Sequence, residues 1–164
     1  MEVLSIFDNN GNLTNNTVIR GSKIKLGDNE HIGVAVIFIE NDEGKFLIQK
    51  TSKEKGGEFS TTGGHVLEGE TPLEAIIRET KEEIGLTLNK EEIIDLGYML
   101  YDFPIRFIFY VHKNIDISSL NLQTEEVEYI TYMTKEEINE IINQGGITKS
   151  HGILFNEVMD KLGK

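Results

Sequence analysis

The sequence contains no cysteine. That absence excludes disulfide frameworks, Cys-ligated zinc, iron–sulfur clusters and thiol nucleophiles together. Proline is scarce, with only Pro72 and Pro104, and no Pro-rich linker, internal repeat or low-complexity tract divides the chain. No apolar run approaches the roughly 20 residues that a membrane helix needs. The opening Met1-Glu2-Val3-Leu4-Ser5 has neither a basic stretch nor a long apolar one, so no secretory leader is expected and the default location is cytoplasmic. Positive charge is also in short supply, with 16 Lys+Arg against 28 Asp+Glu and a net charge of -12. An acidic surface repels polyphosphate backbones and anionic lipid, which argues against nucleic-acid or membrane partners. A phosphate-bearing ligand would need a metal ion or a local basic patch.

What is present is the composition of a globular protein, 38% hydrophobic and 27% charged over 164 residues, a length that suits one domain. Val34 to Ile39 and Phe46 to Gln49 are β-branched or aromatic runs joined by Glu40-Asn41-Asp42-Glu43-Gly44, which predicts a hairpin. A Gly-containing loop should follow from Thr51 to Gly64. Thr71-Pro72-Leu73-Glu74 then carries three helix-start signals: an N-cap Thr, Pro at the first position and Glu closing a capping box. Gly85 is placed to end that helix. Leu73, Ile77, Thr80 and Ile84 form its apolar stripe. Leu96 to Tyr101, Arg106 to His112 and Val127 to Met133 read as strands. A second capping box at Thr134 opens a helix ending near Gly145-Gly146, and a last helix is expected from about Ser150 to Leu162. This order gives a mixed α/β or α+β class.

The chemistry concentrates between Gly64 and Leu86. Glu79, Glu82 and Glu83 stand at i, i+3 and i+4, so at ~100° per residue their carboxylates share one arc of the helix, beside the apolar stripe. Like charges so close repel by a few tenths of a kcal/mol per pair when exposed, and by more when partly buried. Arg78 can neutralise only part of this. A divalent cation is the natural counter-ion, and hard oxygen ligands favour Mg²⁺ or Mn²⁺. A glutamate run on a helix is by default a solvated face; the surroundings set this one apart.

Those surroundings resemble the Nudix box: Gly, five residues, Glu, seven residues, then Arg-Glu-aliphatic-any-Glu-Glu-any-Gly-aliphatic. Gly64, Glu70, Arg78, Glu79, Glu82, Glu83, Gly85 and Leu86 match, and Thr80 stands where an aliphatic residue is usual. Seven of these positions demand one residue type, and at roughly one in fifteen each a chance match arises about once in 10⁸ starting points. The resemblance implies a Nudix fold, a mixed sheet between helices, as a single domain over 1–164 with 1–30 as an N-terminal extension packed on it. It implies Glu79, Glu82 and Glu83 as metal ligands, a backbone carbonyl at Gly63 or Gly64 completing the shell, and Glu70 pairing with Arg78 to hold the loop on the helix.

It further implies a metal-dependent pyrophosphohydrolase of nucleoside diphosphate derivatives or (deoxy)nucleoside triphosphates. A small nucleotide is then the partner of a monomer or homodimer. Pyrophosphate is shielded from nucleophiles by its own oxygens, so the site must neutralise charge and activate water. The general base would be a box glutamate or one from a later loop, where matching Tyr132 to the family's aromatic selects Glu126, with Glu125 behind it. Arg106 and Lys50 are candidate phosphate contacts and Tyr101 a candidate base-stacking residue, alongside ordinary strand and loop roles for each. Phe7-Asp8-Asn9-Asn10-Gly11, Arg20, His31 and Gly63-Gly64-His65-Val66 are similar to the branch nearest isopentenyl diphosphate isomerase. That isomerase carries a catalytic Cys where Gly63 stands here, and its box is degenerate where this one is intact, so isomerase activity is not expected. A nucleotide-binding sensor without turnover is the alternative from another class.

Overall fold

Alternation along the central strands sets up two apolar faces. In β3 (His31–Glu40), Ala35, Ile37 and Ile39 face one core, while Val36 and Phe38 face another. The computed structural model describes residues 1–164. β8 (Ile105–His112) runs parallel to β3 in unbroken register from Gly33↔Ile105 to Glu40↔His112. Its Phe107, Phe109 and Val111 join the first core, and Ile108 and Tyr110 the second. Helix α1 (Pro72–Ile84) covers the first face through Ala75, Ile76 and Ile84. Helices α2 (Lys135–Asn143) and α3 (Lys149–Leu162) cover the second through Ile138, Leu154, Phe155 and Val158. The result is an α+β sandwich with a mixed sheet in the middle.

The expected hairpin between β3 and the strand that begins at Phe46 exists as a turn, not as a ladder. Asn41 closes the turn by accepting from the Glu43 and Lys45 amides, and Gly44 takes φ +73°. Beyond the pair Glu40↔Phe46 the strands part. β4 (Phe46–Thr51) pairs along its length with β9 (Val127–Met133), and the edge of β3 at Val34–Val36 is taken by β6 (Gly63–His65). Both strands are apolar on two faces, so each needs neighbours that a lone hairpin does not supply. The divergence lets the Gly63-Gly64 backbone lie beside the end of α1. The segment expected as a loop, Thr51 to Gly64, therefore contains β5 (Phe59–Ser60) and the first residues of β6.

The first 30 residues carry two strands that sequence patterning did not indicate. β1 (Val3–Phe7) pairs with β2 (Leu13–Ile19) and, at Ile6↔Ile32, with β3. Leu4, Ile6 and Phe7 are buried, and Phe7 packs edge-on against Phe107 with ring centroids 4.8 Å apart. The segment is thus built into the sheet instead of resting on it. Remaining boundaries moved by a few residues: β7 (Ile94–Leu100) starts earlier than expected, and α2 ends at Asn143. No helix is long and apolar enough to cross a membrane.

Candidate active site

Helix α1 starts where the capping signals place it. Thr71 Oγ1 accepts from the Glu74 amide at 3.1 Å, and Glu74 Oε1 accepts from the Thr71 amide at 2.9 Å. At the other end Gly85 caps the helix at φ +72°, with Asn121 so near that an added Cβ would meet it at 2.9 Å. Thr80 is fully buried, and its hydroxyl donates to the Ile76 carbonyl at 2.7 Å, so it fits among apolar neighbours without an unpaired polar atom.

Arg78 is the hub of the loop–helix junction. Its Nε and Nη2 donate to the two oxygens of Glu70 at 3.0 and 2.8 Å, and Nη2 also donates to the His65 carbonyl at 3.0 Å. Its Nη1 donates to Glu79 at 2.8 Å and to Glu82 at 3.2 Å. The bidentate fork fixes the guanidinium plane. Glu70 in turn accepts from the Leu67 amide at 2.8 Å, which ties the loop to the helix. Donation to Glu70 raises the Arg78 pKa still further, burial opposes the rise, and donation to Glu79 adds to it.

Glu79, Glu82 and Glu83 open into a polar cavity of about 310 Å³ that no hydrophobic residue lines. Gly63, Gly64 and His65 form one wall, Gln123 and Glu126 another, and Glu2 with Arg20 a third. Burial raises the Glu79 carboxyl, with the Glu82 and Glu2 charges adding to it and Arg78 opposing. Burial pushes Glu83 up to about 8, helped by the charges of Glu79 and Glu126 and partly offset by Gln49 and the Gly63 amide. Gln49 Nε2 donates to Glu83 at 3.3 Å, and Thr62 Oγ1 donates to Gln49 Oε1 at 2.9 Å.

Glu126 reaches this cavity because its loop is laced to the end of α1. The Asn121 amide donates to the Ile84 carbonyl at 3.0 Å and the Gln123 amide to the Glu83 carbonyl at 2.8 Å. Glu126 Oε1 lies 3.3 Å from Lys55 Nζ, and its side chain is 38% exposed. Glu125 does not line the cavity; its carbonyl accepts from Ser52 Oγ. The structure sets Lys50, Arg106 and Tyr101 apart from the acidic cavity. Lys50 follows Gln49 in β4 and so points to the opposite face, over the Phe59 ring at 4.7 Å. Arg106 donates to the Tyr101 carbonyl at 2.6 Å, beside that ring. Gln49, Thr62, Gln123 and Glu2 were not singled out by any sequence signal, because strand register and a loop closure place them. Arg20 was marked only by its place in the upstream pattern.

The fit of a divalent cation rests on the donor set. All the acidic donors are carboxylates, and the neighbouring Gly63-Gly64 backbone adds carbonyl oxygens, a hard all-oxygen set. As the rotamers stand, no three acidic or imidazole side chains are arranged around a common ion, because Arg78 engages Glu79 and Glu82 while Gln49 engages Glu83. Burial first, and the neighbouring carboxylates after it, disfavour ionisation of Glu79 and Glu83, and a bound cation would favour it. The donor types therefore suit a hard divalent cation, with side-chain rotation needed to gather them.

A model of the NUDIX domain matches residues 29–151. The chain belongs to the Nudix family. An uncharacterized Nudix hydrolase of Listeria innocua is 34% identical over 151 residues, covering 88% of this chain and 87% of its own. The 8-oxo-dGTP diphosphatase of Proteus vulgaris is 34% identical over 79 residues, 48% of this chain and 68% of that protein. The crystal structure of DR0079 from Deinococcus radiodurans shares the fold with a TM-score of 0.77 at 18% identity, covering 93% of this chain and 96% of that one. Nudix hydrolases act on phosphoric anhydrides, chiefly nucleoside diphosphate derivatives, and generally use divalent metal ions. Within this Nudix chain Gly63 leaves no room for the isomerase cysteine, since a Cβ there would come 2.6 Å from the Ala35 carbonyl oxygen. A Cβ at Gly64 would overlap the Glu79 carboxylate.

Proposed function

We propose that this protein is a divalent-metal-dependent pyrophosphohydrolase. It cleaves the diphosphate linkage of a small nucleoside diphosphate derivative or (deoxy)nucleoside triphosphate by attack of water at phosphorus. The observation that carries this reading is the convergence of Glu2, Glu79, Glu82, Glu83 and Glu126 on one wholly polar cavity from three separate parts of the chain. A binding module has no need to hold mutually repelling carboxylates together, whereas phosphoryl transfer needs counter-charge at the transferred group. Glu79, Glu82, Glu83 and a carbonyl of Gly63 or Gly64 would hold Mg²⁺ or Mn²⁺, which would supply that counter-charge and help activate water.

The chain's own groups do the rest. In this reading Glu126, partly exposed at the cavity wall, takes the proton of the attacking water as the bridging P–O bond breaks; its place in the cavity lining supports the assignment. Gln49 and Thr62 hold Glu83 in orientation, and Arg78 locks the loop carrying Gly64 to the helix carrying the glutamates. The name of the Proteus vulgaris relative supports an oxidised purine deoxynucleotide as one member of the test panel. The test is turnover of nucleoside di- and triphosphates, nucleotide sugars, ADP-ribose and dinucleoside polyphosphates with Mg²⁺, Mn²⁺ or EDTA. Metal-dependent release of a nucleoside monophosphate or phosphate from one class is expected. Folded protein that binds nucleotide and metal yet turns over nothing would replace the hydrolase with a sensor.

A further inference from the structure

Where β3 and β4 part, the chain crosses the gap between them through Thr61 and Thr62. Ser60 is the last residue paired with β4, opposite Gln49, and Gly63 is the first paired with β3, opposite Val36. Two residues thus carry the chain from one strand to the other, and the Gly63-Gly64 backbone follows at once. Both threonines are buried, and they turn opposite ways. Thr62 Oγ1 donates to Gln49 Oε1 at 2.9 Å, towards Glu83 of α1, whereas Thr61 faces α3. The Thr61 amide donates to His151 Nε2 at 3.2 Å, and its hydroxyl lies 3.2 Å from the same nitrogen.

His151 reaches this point from α3, with its ring stacked on Phe38 at a centroid distance of 6.1 Å. An amide N–H can only donate, so Nε2 carries the lone pair and the proton of the neutral ring sits on Nδ1. Burial, then the charge of Arg106, lowers the imidazole to about 4, which keeps that acceptor available at neutral pH. A polar line therefore passes through the sheet between the two apolar cores, from His151 to Thr61, across one peptide bond to Thr62, then to Gln49 and Glu83. Such a line is costly in an apolar interior unless each member is satisfied, and no buried side-chain atom lacks a partner. An aliphatic side chain at 151 would suit the surrounding core but leave the Thr61 amide unpaired. Both groups that donate to Glu83, the Gln49 side chain and the Gly63 amide, are held by the same crossing.

We propose that His151 is a positioning residue of the metal site: from α3 it fixes the Thr61-Thr62 crossing, and thereby the Gly63 backbone and the Gln49-held Glu83 carboxylate on which a divalent cation would rest. The proposal rests on the metal-dependent reading of the acidic cavity. Its consequence is that metal affinity depends on a helix that contributes no residue to the cavity. Losing a group that orients a metal ligand costs about 10- to 100-fold in affinity, and His151 acts at one further remove, so the lower end applies.

The test is Mn²⁺ affinity of the otherwise unliganded protein, read from the electron paramagnetic resonance signal of free Mn²⁺, with folding checked by circular dichroism. His151→Leu should weaken Mn²⁺ binding about tenfold. His151→Gln should restore it to within about twofold of wild type, because the amide oxygen can accept from the Thr61 N–H where Nε2 does. Thr62→Val, which removes the bond to Gln49 at nearly constant volume, should weaken Mn²⁺ by a factor similar to His151→Leu. Leu154→Ala opens a cavity under the same helix and should lower stability without changing Mn²⁺ affinity. Because coupling is reciprocal, saturating Mg²⁺ should also slow hydrogen exchange of the Thr61 amide in wild type, a readout that needs no variant. Wild-type Mn²⁺ affinity in folded His151→Leu or in Thr62→Val, a loss that His151→Gln does not repair, an equal loss in Leu154→Ala, or unchanged Thr61 exchange would each overturn the proposal. The expected pattern in a protein that turns over nothing removes the hydrolase and keeps the role of His151; metal-dependent turnover with wild-type Mn²⁺ affinity in His151→Leu does the reverse. Wild type without Mn²⁺ affinity overturns both.

Discussion

Replacing Glu83 by Gln should make the metal-free protein more stable at alkaline pH while abolishing turnover. In the metal-free fold the Glu83 carboxyl lies at about 8, against 4.5 for an ordinary glutamate, chiefly through burial at 8% exposure. Below pH 4.5 both folded and unfolded chains hold the proton, and no penalty exists. As pH rises from 4.5 to about 8 the unfolded chain ionises while the folded one keeps its proton, so folding loses free energy across that window. At about 1.4 kcal/mol per pH unit the loss is at most about 5 kcal/mol, and local relaxation and water entry should leave about 2 to 4.

A neutral amide avoids this, and its oxygen still accepts from Gln49 Nε2. Urea denaturation in EDTA at pH 5.0, 6.5 and 8.5 should show Glu83→Gln close to wild type at the lowest pH and more stable at the highest. Added Mg²⁺ should stabilise wild type by mass action and the variant much less. A variant no more stable than wild type at pH 8.5, or one that gains fully from Mg²⁺, would refute the account of Glu83 as a buried, uncompensated ligand.

Arg78→Lys should cost about 2 to 3 kcal/mol in chemical denaturation, because an ammonium cannot reproduce the fork onto Glu70 and the bond to the His65 carbonyl. Glu126→Gln should lower kcat by about 100-fold with little change in KM or melting temperature; wild-type kcat would remove Glu126 as the base. Burial lowers His151 to about 4, and its Nε2 lies 3.2 Å from the Thr61 amide, which requires the unprotonated nitrogen. The unfolded chain therefore binds the proton first, and stability is lost as pH falls from 6.5 to about 4. His151→Gln should flatten that acid limb by about 1 to 3 kcal/mol in denaturation titrations. Thr71→Ala should cost about 1 kcal/mol through loss of the α1 cap, read from melting temperature.

Sequence by itself determined the parts whose physics is local. The capping box at Thr71, the left-handed Gly85 and the i, i+3, i+4 glutamates all depend on residues within one helix and its two ends, so spacing alone locates them. The α+β class followed from strands and helices each long and patterned enough to read, as in Arg106 to His112, buried on both faces. The matched box identified the family for the same reason: its residues are contiguous in the chain. The N-terminal strands were illegible because β1 is only five residues long, with Ser5 among four apolar residues and no alternation, and because β2 is an Asn- and Thr-rich strand exposed at most positions.

Only the tertiary structure decided which distant residues share the site. β3 and β4 part where β6 inserts, and that divergence brings the Gly63-Gly64 backbone beside Glu79. Gln49 faces Glu83 while Lys50 faces away because successive strand residues alternate, a choice fixed by pairing register. Glu126 reaches the cavity through backbone bonds from 121–123 to the end of α1, and Arg20 through the pairing of β2 with β1. Burial, which raises Glu83 and lowers His151, likewise belongs to the packed molecule and has no signature in spacing. Sequence placed charges along the chain, and the fold decided how much water each one keeps.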